Sequence, residues 1–377
     1  MLSVYIHIPF CRRKCDYCDF FSVPLAGPVP AGYVDLLIRQ VQLYAEDPRW
    51  RGPVSTLFLG GGTPSLLAAP DLRRLLQAVA ATFGFTPAAE LTLEANPETV
   101  SPALLAAFRL AGINRLSLGV QSTDAAALTL LGRGHDVAMA ANAVRWAQAA
   151  GFAQVGVDLI FGIPGVTDAN LHTGVNRVLD WGVQHLSCYG LTFESQTPLA
   201  LRRQRGLVLP VGEEVERRQF LGLHDQLTAA GFAHYEISNY ARPGEVCRHN
   251  QAYWQRLPVL ALGAGAHAYV DRGWGERWAA PAALDRYQQQ LRAGQDPLAL
   301  LESLDRQTAM NETCYLALRT ADGIDAAAFC QRFGQTLQQA YPRAQQRLGT
   351  ALVTDAAGWR LTPEGWLLYD HLVQEFL

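Results

Sequence analysis

Lysine is nearly absent from this chain of 377 residues: of 31 basic residues, 30 are arginine and Lys14 is the exception. Positive charge is not in surplus either, since 34 acidic residues bring the net charge to −3. Such a balance offers no field for gripping a phosphate backbone, which excludes nucleic acid as the main partner. Long apolar runs are missing. The longest uncharged apolar stretch, Leu257–Val270, has 14 residues and is interrupted by Pro258, Gly263 and Gly265, well short of the roughly 20 that cross a bilayer. The N-terminal MLSVYIHIPF runs into arginines and cysteines without a small-residue cleavage site, so no targeting signal is read there. Seven cysteines are too few, and odd in number, for a disulfide framework. A reducing cytoplasm is the expected location. With 49% hydrophobic and 17% charged residues, the composition also excludes disorder, collagen and coiled coil.

What is present is a repeated βα pattern. Short runs rich in Val, Ile, Leu and Phe predict six strands, Ser3–Ile8, Ser55–Leu59, Leu91–Ala95, Arg115–Val120, Gln154–Ile160 and His185–Leu191. Segments of helical period lie between them, among them Tyr33–Glu46, Pro70–Phe83 and Ala138–Ala150. The expected fold class is α/β, a partial (β/α)6 barrel of the TIM type, because six successive units suit a barrel better than a doubly wound sheet. After about residue 205 come a helix over Gly212–Ala230, a loop-rich aromatic stretch over Tyr235–Trp278, and helices over Glu312–Arg319 and Ile324–Phe333. Trp359–Gly365 then leads into an apolar terminal helix, which suggests a small winged-helix-like module. The expected division is a barrel over 1–205, a linking region over 206–300 and a C-terminal module over 301–377.

The punctuation just after these strands carries the chemistry, because parallel strands place active sites at their C-terminal ends. Cys11, Cys15 and Cys18 follow the first strand in C-x3-C-x2-C spacing, which lets three thiolates converge from one short loop. Structural zinc takes four ligands in paired knuckles, and Cys188, Cys247, Cys314 and Cys330 are scattered singly. Three thiolates suit a [4Fe–4S] cluster with one iron left open. Arg12, Arg13 and Lys14 favour the thiolate form. Gly60-Gly61-Gly62-Thr63-Pro64 follows the second strand, a side-chain-poor loop whose backbone can approach a ligand. Glu94 ends the third, Gln121 follows the fourth, and Asp158 lies on the fifth, ahead of Gly162-Ile163-Pro164-Gly165.

Together Tyr5-Ile-His-Ile-Pro-Phe-Cys11-x3-Cys15-Asp-Tyr17-Cys18 and the GGGTP segment resemble the signature of radical S-adenosylmethionine (SAM) enzymes. The resemblance extends over almost the whole chain. It implies that Cys11, Cys15 and Cys18 hold a [4Fe–4S] cluster whose open iron is chelated by SAM, which electron transfer cleaves to methionine and a 5′-deoxyadenosyl radical. It further implies SAM contacts from Gly61, Gly62, Thr63, Glu94, Gln121, Arg133 and Asp158, with Tyr5 and Tyr17 beside the cluster. Whether one or two SAM molecules bind is left open by the sequence.

Within that superfamily the resemblance narrows to the branch holding oxygen-independent coproporphyrinogen III dehydrogenase and the heme chaperone HemW. The dehydrogenase has a further cysteine two residues after the third ligand, where this chain has Phe20, and it carries an N-terminal extension ahead of the first strand, expected here at residue 3. His249-Asn250-Gln251-Ala252-Tyr253-Trp254 matches the H-N-x-x-Y-W motif of the chaperones. A neutral imidazole is a good heme ligand, and Tyr and Trp offer flat apolar area to a porphyrin. His249 is therefore the candidate heme ligand, against the alternative that it merely fixes its loop. Cys247 could supply a thiolate instead, and the role of His267 is open. The expectation is a heme-binding chaperone that delivers heme to hemoproteins such as respiratory cytochromes; porphyrin oxidation by the dehydrogenase reaction is the alternative, and a protein using the cluster alone a third. Peripheral membrane contact and a homodimer are compatible with both leading readings.

Overall fold

The computed structural model describes residues 1–377. Six strands follow the expected order: β1 (Leu2–Ile8), β2 (Val54–Gly61), β3 (Phe85–Ala95), β4 (Arg115–Gln121), β5 (Gln154–Phe161) and β6 (His185–Gly190). Between them lie α1 (Ala31–Leu43), α2 (Ala69–Phe83), α3 (Pro102–Ala111), α4 (Val137–Ala149) and α5 (Asp168–Asp180). All six strands pair in parallel with their sequence neighbours, as βα connections require.

Alternation along these strands decides what goes where. Val4, Ile6 and Ile8, Leu57 and Leu59, Leu91 and Leu93, Leu116 and Leu118, and Val155 and Val157 point outward and pack on the apolar faces of the helices in one continuous core. The opposite positions hold Tyr5, Thr56, Glu90, Thr92, Glu94, Arg115, Ser117, Asp158, His185 and Ser187, which turn into the barrel. Strands of an all-parallel sheet are ordinarily apolar on both faces, so this polar interior marks a site.

The stretch 206–300 departs from expectation. Helix α6 (Glu213–Ala229) matches the predicted segment, with Gly212 and Ala230 as its caps. Rather than remaining loops, the aromatic stretch forms β7 (Ala233–Glu236), β8 (Asn239–Ala241), a short helix α7 (Arg248–Trp254), β9 (Val259–Leu262), β10 (His267–Val270) and β11 (Glu276–Ala279), followed by β12 (Ala299–Ser303). All join the same 12-stranded sheet, in the order β12-β11-β10-β9-β1-β2-β3-β4-β5-β6-β8-β7. Strand β9 pairs in parallel with β1, so the parallel part has seven strands rather than six. Antiparallel strands continue both edges, which do not pair with each other, and the barrel is open.

A second core gathers residues from Leu304 to Phe376, with Phe220 of α6. It contains α8 (Arg306–Ala317), started by the Asp305 side chain accepting from the Thr308 amide at 2.7 Å, and a helix over Ala326–Phe333 stopped by Gly334 at φ 67°. Two short strands, Leu352–Thr354 and Gly358–Leu361, pair antiparallel as a wing. The terminal helix is broken into short turns over Pro363–Leu367, Tyr369–Leu372 and Val373–Phe376.

Candidate cluster and cofactor site

At the C-terminal ends of the parallel strands lies a cavity of about 370 Å³. Cys11, Cys15, Cys18, Tyr17, Gly61, Gly62, Thr63, Glu94, Gln121, Arg133 and Asp158 all line it. Of the residues expected there only Tyr5 is elsewhere, one layer deeper. Close packing sets the glycine loop: Gly61 has φ 107°, and a Cβ there would stand 2.5 Å from the His7 ring. At Gly62 it would stand 2.6 Å from the Phe10 carbonyl. Gln121 also adopts a left-handed backbone, φ 67°, where β4 shifts register against β5. A long side chain in that region is strained, which is common where a site fixes a residue's direction.

A chain of hydrogen bonds joins two of the thiols. The Thr63 hydroxyl donates to Cys11 Sγ at 3.4 Å and accepts from Asn96 Nδ2 at 3.1 Å. Asn96 Oδ1 accepts from Arg133 Nη2 at 2.6 Å, and Arg133 Nη1 donates to Cys15 Sγ at 3.1 Å. Arg133 is thus committed to Cys15, Asn96 and the Gly119 carbonyl, and only its Nε lacks a partner. Burial pushes the Cys18 thiol up to about 11, and the charges of Cys15 and Cys11 add to this while Lys14 opposes it. Three thiolates in this loop repel one another and call for a positively charged centre. No three His, Cys, Asp or Glu side chains meet closely enough to hold one metal ion. The three cysteines line one cavity, and the donor set and its counter-charges fit an iron–sulfur cluster.

Across the cavity, burial raises Glu94 to about 8; the Asp158 charge adds to this, while the Gly61 amide opposes it. Asp158 is also raised by burial, although the Ser187 and Ser117 hydroxyls donate to it, Ser117 at 3.1 Å. These two carboxyls gain from a cation or hydroxyls supplied by a ligand.

His249 lies elsewhere. Helix α7 closes the opposite end of the barrel, where Glu90 in the middle of β3 accepts from the amides of Arg248 and His249 at 3.2 and 3.1 Å. His249 is 1% exposed and packs at 5.2 Å from the Phe58 ring. Its Nδ1 lies 2.9 Å from Thr56 Oγ1, which donates onward to Ser3, so Nδ1 carries the proton. That leaves Nε2 to accept from Tyr253 at 3.3 Å. Burial lowers its pKa to about 3, so the ring is neutral with its one lone pair engaged. The adjoining cavity, about 160 Å³ and lined by Tyr5, Glu94, Cys247 and Tyr253 among others, is below the roughly 300 Å³ at which pockets take drug-sized ligands. In this geometry His249 is a floor residue of the barrel, its two ring nitrogens facing Thr56 and Tyr253.

Sequence reasoning passed over Glu90, Ser117 and Ser187. Their signal is polar alternation in buried parallel strands, visible in Leu91-Thr92-Leu93-Glu94 and Arg115-Leu116-Ser117-Leu118.

Comparison with known proteins agrees with the architecture. The family model of the Radical SAM superfamily matches residues 5–176 and that of the HemN C-terminal domain residues 304–368. The heme chaperone HemW of Mycobacterium tuberculosis is 37% identical over 381 residues, covering 100% of this chain and 94% of that protein. The heme chaperone HemW of Escherichia coli is 33% identical over 388 residues, covering 100% and 98%. Its counterpart in Synechocystis is 41% identical over 302 residues, covering 77% and 70%. Among solved structures, coproporphyrinogen III oxidase (HemN) from Escherichia coli, described as a radical SAM enzyme, superposes with a TM-score of 0.85 at 23% identity, covering 100% of this chain and 89% of that one.

Proposed function

This chain belongs to the HemW family of the radical SAM superfamily, and from that premise we propose that it is a heme chaperone, which binds heme and passes it to acceptor hemoproteins while carrying a [4Fe–4S] cluster and SAM. The observation that carries the reading is the end-to-end match to chaperones of which 94% and 98% of the length is covered. The fold shared with coproporphyrinogen III oxidase is compatible with either function, because it fixes the barrel and not the reaction. Phe20, where the dehydrogenase pattern has a cysteine, is 64% exposed at the cavity mouth and favours the chaperone.

When bound, a cluster with an open iron supplies one electron and a seat for the amino and carboxylate groups of SAM. In this reading Cys11, Cys15 and Cys18 are its ligands. Thr63 and Arg133 hold two of those sulfurs in place through Asn96. Gly61 and Gly62 let backbone approach the methionyl end. Glu94, Asp158 and Gln121 accept or donate to the amine and ribose, Tyr17 packs on the cluster side, and Tyr5 supports Glu94 from below. We divide the chain accordingly into a barrel over 1–205, a heme-handling region over 206–300 and the C-terminal module over 301–377.

Respiratory cytochromes are the acceptors we propose, met at the membrane surface from the cytoplasmic side by a monomer or homodimer. Leu201, Leu207 and Leu209, all exposed on one segment, supply apolar area for such a peripheral contact. No helix is long and apolar enough to cross a membrane. All seven cysteines are free, as suits a reducing compartment.

The test offers cluster-reconstituted protein coproporphyrinogen III with SAM and a reductant, and separately titrates it with heme. Stoichiometric heme binding without decarboxylation is expected. Formation of protoporphyrinogen IX would overturn the chaperone reading.

A further inference from the structure

Just after β3 the chain makes a single tight helical turn over Pro97–Thr99, closed at both ends by Asn96 and Thr99 bonding each other's backbone. Ser65 fixes the Thr99 hydroxyl at 2.5 Å. This rigid turn aims Glu98, a carboxyl to which the cofactor site gives no task. Arg12 of the cysteine loop donates to the Glu98 carbonyl at 3.3 Å. The Glu98 side chain lies against Gly134, where a Cβ would stand 3.3 Å from Oε1, and its Oε2 faces His135 Nδ1 at 3.3 Å. The His135 side chain has no exposed surface.

The protons in this pair follow from its partners. His135 Nε2 stands 3.0 Å from the Val120 carbonyl, which can only accept, so Nε2 carries a proton and donates. Nδ1 is left facing the carboxyl, and neither Nδ1 nor Glu98 Oε2 has another partner in this buried place. Two bare lone pairs so close repel, so a further proton stands between them. Whichever atom holds it, Glu98 and His135 together carry no net charge. Burial pushes the Glu98 carboxyl up, but His135 and the Arg133 charge outweigh this and leave it below the usual carboxylate range. Arg133 thus feels the Cys15 thiol on one side and Glu98 on the other. Charges alternate outward from the cysteine loop: Cys15 thiolate, Arg133, Glu98, His135, and last the Val120 carbonyl of β4.

We propose that His135 is a positioning residue for the cluster: by neutralising Glu98 it leaves the Arg133 guanidinium to Cys15, and so sets the field in which a cluster on Cys11, Cys15 and Cys18 takes up an electron. The proposal rests on the cluster assignment above. Without His135, Glu98 becomes an uncompensated buried charge that competes with Cys15 for Arg133. Net charge and hydrogen bonds to sulfur govern a cluster's reduction potential, and one more negative charge nearby disfavours the reduced form. A histidine that merely filled space would behave differently, because a second change at the same place would deepen its loss rather than reverse it.

Cluster-reconstituted full-length protein is therefore titrated anaerobically at neutral pH with dithionite and redox mediators, and the one-electron-reduced cluster is read by its electron paramagnetic resonance signal. His135→Gln, which keeps a donor for the Val120 carbonyl, should lower the reduced-to-oxidised ratio at a fixed potential by about tenfold, the scale of one uncompensated charge in a protein interior and equal to about 59 mV for one electron. Glu98→Gln should stay at or above the wild-type ratio. The double variant should return to within about twofold of wild type. A ratio in His135→Gln within about twofold of wild type overturns the proposal, as does a double variant that stays as low as His135→Gln. If His135→Gln fails to fold, Glu98→Gln decides, and a fall in its ratio overturns the proposal. A wild-type protein that takes up no cluster, or a Cys15→Ala variant with an intact [4Fe–4S] spectrum, overturns the cluster assignment itself.

Discussion

Arg133 sits in the loop that leads from β4 into α4, yet it ties the cysteine loop to the barrel through Cys15, Asn96 and Gly119. Its sequence context offered only a cation able to pair with a carboxylate; contact with sulfur depends on which loops meet, which no local pattern encodes. Glu94 was more legible, as the carboxyl closing an alternating strand. Because burial raises it to about 8, folded protein keeps a proton between about pH 4.5 and 8 that unfolded protein releases. Stability is therefore lost as pH rises through that window, by about 1.4 kcal/mol per pH unit for this group. Glu94→Gln should flatten that slope in ligand-free protein and be the more stable form at pH 8, with no advantage at pH 4. Denaturant midpoints across pH check this, and parallel slopes for the two proteins would contradict it.

Among the elements, five of the six predicted strands and the predicted barrel helices appear within a few residues of their expected bounds, because period-2 and period-3.6 patterns are long and clean there, whereas β3 begins at Phe85 rather than Leu91. Strand β9 was hidden in Leu257–Val270, where a short apolar run between Pro258 and Gly263 reads equally as loop or buried strand. Only pairing with β1 distinguishes them. The same limit governs α7. His-Asn-x-x-Tyr-Trp identifies a motif, but the direction of each side chain follows from Glu90 gripping the helix start and Thr56 capturing His249. Glu90→Ala removes the acceptor of two buried amides and the carboxylate nearest Arg115, 3.9 Å away. It should cost about 3–5 kcal/mol, the scale for stripping one partner from a buried charged pair. Urea unfolding measures it, and a loss below about 1 kcal/mol would contradict the docking role of Glu90.

The whole molecule joins a cluster cavity and an aromatic groove on one framework. The cluster cavity opens at the C-terminal ends of the strands, and the aromatic groove lies where α7 meets the second core. The cavity could be located from the sequence because its residues cluster just after the strands. The groove could not, since Trp254, Arg319 and Tyr369 are far apart in sequence and only the docking of the C-terminal module assembles them. Helix α7 touches both, with His249 in the cavity beneath the cluster site and Trp254 in the groove. The central claim, that this chain delivers heme, is tested most directly by mixing the heme-loaded, cluster-reconstituted protein with an apo-cytochrome and following the acceptor's Soret band. The account predicts stoichiometric transfer. Heme that never reaches the acceptor, together with decarboxylation of coproporphyrinogen III by the same preparation, would contradict it.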